Sequence, residues 1–177
     1  MKHAWASTVL LTTLSQQAHA VQYLNTEQAQ KALFPQATGF TEQDWLLTPK
    51  QLAAVEQLAG QRPNNPHVRV LKAQQGQTVL GYVVLDSVIG KYDLIDYAVG
   101  LNADATVKQI EIMAYRESHG FEIRSPAWRA QFAGKSASHG LRVGDGIANI
   151  SGATLSCTHV TDGVRRIAAV AQVMLRP

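Results

Sequence analysis

The chain has 177 residues, which suits one domain with a small extension. Hydrophobic residues make up 46% of it and charged residues 16%, a composition that predicts a packed core and excludes a disordered chain. The net charge of +3 is mild. The sequence has no basic stripe interleaved with aromatic residues, so it does not favour nucleic acid as a partner. Because Cys157 is the single cysteine, the sequence excludes an internal disulfide, a multi-cysteine metal site and a C-x-x-C-H haem attachment. An electron carrier of this composition would need an organic cofactor.

The first twenty residues have the order of a secretory signal peptide. Lys2 precedes a short apolar run over residues 4–14, and Ala18-His19-Ala20 forms an A-x-A cleavage site. The run is far shorter than the roughly 20 residues that span a bilayer. We therefore expect cleavage after Ala20 and a soluble, periplasmic mature chain without a transmembrane segment. An uncleaved anchor and the first helix of a cytosolic domain are the alternatives.

Residues 21–65 are predicted to form an N-terminal helical segment. Asn25 begins a short helix that extends to Leu33. A second helix has stronger signals, because Thr48 and Gln51 form a capping box around a proline at the first helical position. Gly60 is the expected end of that helix.

From His67 onward the spacing of apolar residues changes to that of strands. Gln75-Gly76 and the segment 102–105 have turn sequences, so consecutive strands joined by short turns predict an antiparallel sheet. In the last of these strands, residues 107–115, apolar and polar residues alternate regularly, which predicts that one face of the strand is exposed to solvent. The four predicted strands cover residues 67–72, 78–85, 94–101 and 107–115.

The C-terminal part is predicted to be helical after an irregular region. A short helix is expected around residues 127–132, followed by a loop over 134–146. Apolar residues then recur three or four positions apart from Val160 to Met174, which indicates an amphipathic helix beginning between Thr154 and Thr158. The predicted fold class is α+β, with residues 66–177 forming an antiparallel sheet closed by this helix.

The tetrapeptide Ser151-Gly152-Ala153-Thr154 comes directly before the C-terminal helix. Gly152 permits a tight turn, and the unpaired amides of the first helical turn favour an anion such as phosphate. A threonine hydroxyl at this point could accept a phosphoester. The alternative is that Ser151 or Thr154 only caps the helix.

The order of motifs resembles the FMN-binding domain family, which includes the FMN-carrying subunits of the sodium-pumping NADH:quinone reductase and of the Rnf complex. The resemblance covers roughly residues 78–174 and rests on an ordered set of segments, of which the Ser151–Thr154 tetrapeptide is one. The other matching segments are Gly81-Tyr82, residues 101–108, Glu117-Ser118-His119-Gly120, Trp128, Gln131-Phe132, Gly134-Lys135 and Thr161-Asp162-Gly163-Val164.

The resemblance implies that FMN is the cofactor and that its phosphate is esterified to Thr154. A flavin transferase, with FAD as the donor, would be the modifying partner. Ser151, Gly152 and Ala153 would surround the phosphate, and Leu155 and Ser156 would offer it their backbone amides. The family usually has Asp three residues before the motif serine, whereas this chain has Ala148 there, which leaves non-covalent FMN or an empty site as alternatives.

Several further residues have two interpretations each. Glu117 and His119, with Ser118 and Gly120 beside them, would face the flavin ring or act as base and acid, or would form an exposed loop. Trp128 would stack on the ring or belong to the core. Lys135 would balance phosphate or flavin charge or be solvated.

Three functions are compatible with these residues. The first is an exported flavoprotein that transfers electrons between a membrane redox system and an unknown acceptor. The second is a non-flavin periplasmic binding module on the same fold. The third is a small flavin-dependent reductase with a substrate of its own.

Overall fold

The computed structural model describes residues 21–63 and 65–176, and the predicted signal peptide lies outside these residues. The centre of the fold is a six-stranded antiparallel sheet with the strand order β1-β6-β5-β4-β3-β2. The α+β prediction with an antiparallel sheet is therefore confirmed. The strands are β1 Val21–Gln22, β2 Gly39–Leu46, β3 His67–Gln75, β4 Thr78–Ile89, β5 Leu94–Asn102 and β6 Val107–Tyr115.

Both predicted N-terminal helices form, with the predicted caps. Helix α1, Thr26–Leu33, has a capping box between Asn25 and Gln28, and helix α2, Pro49–Ala59, has one between Thr48 and Gln51. The prediction that residues 21–65 are helical throughout is wrong, because β1 and β2 lie in the same segment. β2 pairs along its whole length with β3, so the sheet continues across the predicted boundary at residue 65. Its side chains are mostly polar and exposed, as suits an edge strand, and therefore carry no apolar periodicity.

Helix α1 covers one face of the sheet and forms a small core there. Leu33 and the following Phe34 are buried, together with Ala98 of β5 and Met113 of β6. The predicted solvent-facing side of β6 is therefore wrong: all but two of its nine residues are buried. Alternation of polar and apolar residues along a strand predicts that one face is exposed to solvent. The sequence of the strand does not show that a helix from elsewhere in the chain covers that face.

Helix α4, Thr154–Leu175, covers the other face and completes the main core. Its start agrees with the predicted range, and it packs against α2, β4 and β5. No helix within residues 21–63 and 65–176 combines the length and the hydropathy needed to span a membrane.

The helix α4 approaches the sheet closely at Gly163. A Cβ atom at this position would overlap the Tyr97 hydroxyl and would lie 3.0 Å from Tyr97 Cζ. That hydroxyl donates a 2.6 Å hydrogen bond to Asp86, which also accepts a 2.7 Å hydrogen bond from Arg166 of α4. Burial, followed by the neighbouring Asp86 charge, raises the pKa of Tyr97 well above its usual value, so the phenol stays protonated as the donor. A paired charge and a donated proton thus fasten the middle of α4 to β4 and β5.

A short irregular region connects β6 to α4. It contains a 3-10 helix over Phe121–Arg124, helix α3 over Pro126–Ala130, and the two-residue parallel strands β7 Arg142–Val143 and β8 Gly146–Ile147. The predicted helix around residues 127–132 is confirmed in shorter form, and the predicted loop over 134–146 contains β7 and the start of β8.

We predict that Gly163→Ala destabilises the protein by roughly 1–3 kcal/mol, the usual cost of overpacking a core. At an unobstructed helix position, replacing glycine by alanine would instead stabilise the protein by roughly 0.5–1 kcal/mol. The sign of the change in unfolding free energy therefore shows whether Gly163 is overpacked by alanine. Urea unfolding measures the difference. Gly39→Ala, where an added Cβ meets nothing within 4 Å, is the neutral control. In a Tyr97→Phe background the cost of Gly163→Ala should shrink; an undiminished cost would contradict the proposed overlap.

Candidate functional site

The motif tetrapeptide forms the entry to α4, and Thr154 is the first residue of this helix. Ala153 occupies the N-cap position, and no side chain caps the helix end. Ser151 and Thr154 therefore do not act as caps. Gly152 has a φ of 83°, in the left-handed region that the tight turn requires. The first-turn amides are left available to a ligand at the positive end of the helix dipole.

A cavity of about 420 Å³ lies beside this helix end. Its volume is within the roughly 300–1,000 Å³ that is usual for small-molecule sites. The cavity brings together two of the predicted segments, Glu117–His119 and Gly152–Ser156, with the turn after β4. The lining residues are Lys91, Tyr92, Glu117, Ser118, His119, Gly152, Ala153, Thr154, Leu155 and Ser156.

The Thr154 side chain is exposed at the cavity and has one side-chain neighbour. Its Oγ1 accepts a 3.1 Å hydrogen bond from Asn149 Nδ2. Because the oxygen acts as an acceptor there, its own proton is directed elsewhere and is available for donation. Asn149 therefore leaves the Thr154 hydroxyl proton free to be donated to another group.

Tyr115 ties the cavity wall to α4. Its hydroxyl donates to the backbone carbonyl of His119 and lies 3.2 Å from the buried hydroxyl of Ser156, which can donate to it. Burial raises the pKa of Tyr115, so the phenol stays protonated and can donate. The Ser156 side chain thus has a structural role, and its backbone amide belongs to the uncapped first turn of α4.

Gly120 allows the wall to approach the motif. Its φ of 87° lies in the left-handed region, and an added Cβ would come within 2.5 Å of Ala153 Cβ and 2.7 Å of the Tyr115 hydroxyl. A larger residue would therefore be strained and would push the wall away from the start of α4. The predicted role of Gly120 in the site is positional, because it lies behind the cavity and not among its lining residues.

Glu117 uses its carboxylate to hold the turn between β4 and β5. One oxygen, Oε1, accepts hydrogen bonds from the backbone amides of Lys91, Tyr92 (2.7 Å) and Asp93 (3.1 Å). Partial burial alone would raise the pKa of Glu117, but the three amide hydrogen bonds outweigh it and lower the pKa below its usual value. A carboxylate stabilised in this way is a weak base, so the geometry favours a structural role over the acid–base alternative.

Trp128 lies in the core, 3% exposed, and packs edge-to-face against Phe132 at 5.0 Å. Its indole N–H donates a 2.8 Å hydrogen bond to the carbonyl of Ala148, and Gln131 Oε1 accepts one of 2.8 Å from the Ala148 amide. These two side chains thus fix the backbone three residues before the motif serine. Lys135 does not line the cavity.

Cys157 is fully buried in the first turns of α4, and burial raises the pKa of its thiol. A protonated, inaccessible thiol is inert, so Cys157 contributes to packing rather than to chemistry.

Comparison with known proteins identifies the region that contains this cavity. Residues 90–169 match the family model described as the FMN-binding domain. This segment is an FMN-binding domain. All ten cavity-lining residues lie within it, as do Trp128, Lys135 and Gly120. A sequence search of curated proteins finds no match to the chain.

FMN is the cofactor that this domain implies, and the residues present fit it. The uncapped amides of α4 suit its phosphate, and the cavity volume suits a ligand of its size. Tyr92 and Leu155, which line the same cavity, are 74% and 44% exposed and offer apolar surface for a ring system. When bound, FMN supplies reversible uptake and release of electrons.

Sequence reasoning missed three residues of the FMN-binding domain. Lys91 and Tyr92 lie in the Gly90–Asp93 turn, where they meet the motif through the fold. Asn149 comes directly after Ala148, the position at which the family usually has Asp. A polar residue shortly before a helix start was the available signal for Asn149, and an aromatic residue in a short strand connection was the signal for Tyr92.

We predict that Gly120→Ala weakens FMN retention and lowers the stability of the domain by roughly 1–3 kcal/mol, because strain and overlap with Ala153 add. Gly144→Ala is the matched control, since its φ of 84° is similar but an added Cβ meets nothing within 4 Å. Flavin absorbance per protein and thermal unfolding measure the two effects. Equal losses in both variants would contradict the contact with the motif.

We predict a pH dependence that belongs to Glu117. Its lowered pKa means that its contribution to stability is present above the usual value of about 4.3 and is lost as the pH falls through the lower value in the folded state. The difference in unfolding free energy between the wild type and Glu117→Gln should therefore be constant above pH 5 and should shrink below pH 4. Urea unfolding at several pH values checks it, and a difference that grows on acidification would refute it.

Proposed function

We propose that FMN is bound covalently through a phosphoester to Thr154 and that the domain transfers electrons outside the cytoplasm. The observation that carries the proposal is the exposed Thr154 hydroxyl, which lies inside the cavity at the uncapped end of α4. One residue thus combines a reactive oxygen with a site for the phosphate it would bear.

The attachment step is a transfer from FAD that a flavin transferase would catalyse. The bond between Thr154 Oγ1 and the flavin-side phosphorus forms, and the P–O bond that links the two phosphates of FAD breaks. AMP leaves, and the proton of the hydroxyl is lost to solvent or to a base of the transferase. Asn149, by donating to Oγ1, holds the oxygen in place, and the amides of Leu155 and Ser156 stabilise the phosphate charge.

The cavity-lining residues favour an electron carrier over a reductase with its own substrate. Glu117 is occupied by three backbone amides. Tyr115, which is not one of the lining residues, is hydrogen-bonded to the His119 carbonyl and lies beside the Ser156 hydroxyl. His119 also lines the cavity, and within the described residues no hydrogen-bond partner orients its ring as a catalytic acid or base would require. The exposed Ser118, His119 and Leu155 leave the cavity accessible to a redox partner.

Export and covalent attachment support each other. The order of Lys2, the apolar run and Ala18-His19-Ala20 favours a cleaved signal peptide and a periplasmic location. Outside the cytoplasm a dissociated cofactor would be lost by dilution, whereas an ester bond retains it. A membrane redox system is the proposed partner. The family match favours either flavin function over the non-flavin binding module.

The test is the intact mass of the exported protein from a host that also expresses the flavin transferase. We expect a chain that begins at Val21 and carries the added mass of FMN less one water. Yellow absorbance should survive acid denaturation. Thr154→Ala should lose both signals, because it removes the attacking oxygen.

Thr158→Ala is the matched control, since it deletes the same side chain one turn further along α4 and should keep the flavin. Thr154→Ser should retain attachment, because the hydroxyl remains. An unmodified mass with colour that washes out on denaturation would overturn the covalent proposal and favour non-covalent FMN. A mass that begins at Met1 would overturn cleavage after Ala20.

A further inference from the structure

The turn between β4 and β5 is held rigidly beside the motif. The amide of Gly90 donates a 2.8 Å hydrogen bond to the Asp93 carbonyl, which closes the turn. The next three amides all donate to Glu117, as described above. Gly90 itself is packed so closely that an added Cβ would lie 2.5 Å from Glu117 Oε1. A connection with four backbone hydrogen bonds in four residues has a defined conformation.

This rigid turn carries an aromatic side chain into the cavity. Tyr92 lines the same wall as Glu117, and it is 74% exposed. The Lys91 ammonium lies 4.8 Å from the centre of its ring, which restricts the ring on one side. A large aromatic surface that is held in place yet left in water is costly unless a ligand covers it.

Leu155 also lines the cavity and follows Thr154 in the first turn of α4. Its side chain is 44% exposed, so an aromatic and an aliphatic surface both border the site for the phosphate. Such an arrangement suits a flat, apolar ring that is joined to a phosphate by a short chain. Tyr92 is the one aromatic residue among the ten that line the cavity.

We infer that Tyr92 contacts the isoalloxazine ring of FMN and that Glu117 is the residue that positions Tyr92 for this contact. The inference rests on the proposed function only in that FMN occupies this cavity. In this contact Tyr92 would shield one face of the ring from solvent, and its electron-rich phenol would quench the flavin fluorescence. Glu117 does not touch the ring; it fixes the backbone of the turn.

The test uses the flavinylated protein, with flavin content first determined by intact mass. Fluorescence yield and its quenching by iodide are then compared in wild type and variants. Tyr92→Ala should raise the yield several-fold and increase iodide access. Tyr92→Phe should keep iodide access low, because the ring remains, while the yield rises, because phenylalanine is the poorer quencher.

Glu117 has its own variants. Glu117→Ala should raise both readouts toward those of Tyr92→Ala, since the turn is released. Glu117→Gln keeps an acceptor oxygen and should lie between Glu117→Ala and the wild type. A purely stabilising role would lower the thermal midpoint and leave both optical readouts unchanged.

Phe121→Ala is the matched control, because Phe121 is an exposed aromatic residue (60%) that does not line the cavity. If Tyr92→Ala leaves fluorescence and iodide access as unchanged as Phe121→Ala does, the inference is overturned. If the wild type carries no covalent flavin, the attachment proposal fails separately, and FMN titration replaces the optical test. Tyr92→Ala should then weaken FMN binding roughly 2- to 10-fold, the range of one aromatic contact, and equal dissociation constants would overturn the inference.

Discussion

The contact between α4 and the sheet at Gly163 determines where the motif lies. Because this position has no side chain, the helix sits directly on Tyr97, and the Asp86–Arg166 pair locks it in that position. Because the Asp86–Arg166 pair is partly exposed, it contributes little to the net free energy of unfolding. Its main effect is to favour one position of α4 on the sheet over others. The start of α4 is thereby fixed at one place beside the sheet, and every part of the cofactor site is arranged around that point.

Three segments far apart in the chain meet at this helix end, and each has a different physical task. The motif supplies the hydroxyl and the amides. The segment from Tyr115 to Gly120 packs against Ala153, with a glycine where a side chain would intrude. The β4–β5 turn supplies exposed apolar surface. Glu117 joins the second and third segments, because it belongs to one and accepts the amides of the other.

Local signals in the sequence predicted the parts of the fold that depend on local physics. Capping boxes at Asn25 and Thr48 bring their partners within three residues, so the helix starts can be deduced directly. The motif at the start of α4 is equally local. By contrast, β2 is a strand because β3 offers it a backbone ladder, and its polar sequence gives no periodic signal.

In the candidate site, too, local features were predictable and contacts between distant segments were not. The location of the candidate site at Thr154, at the start of α4, was predictable from the motif and from the family resemblance. The contact of Glu117 with the Lys91–Asp93 amides joins residues about 25 positions apart, and nothing in the spacing of either segment indicates it. The burial of β6 was missed for a similar reason, since the covering residues Leu33 and Phe34 come from the other end of the sheet's sequence.

The pairing of β1 with β6 has a kinetic consequence. Val21 and Gln22 hydrogen-bond with Tyr115 and Ala114, so the first described strand has its partner more than ninety residues later. Closing so long a loop is slow and comes late in folding. During synthesis β1 therefore stays unpaired until residues 114 and 115 of β6 are available. Until that pairing forms, β6 presents an open backbone edge along Ala114 and Tyr115, next to the segment that leads into the cofactor site.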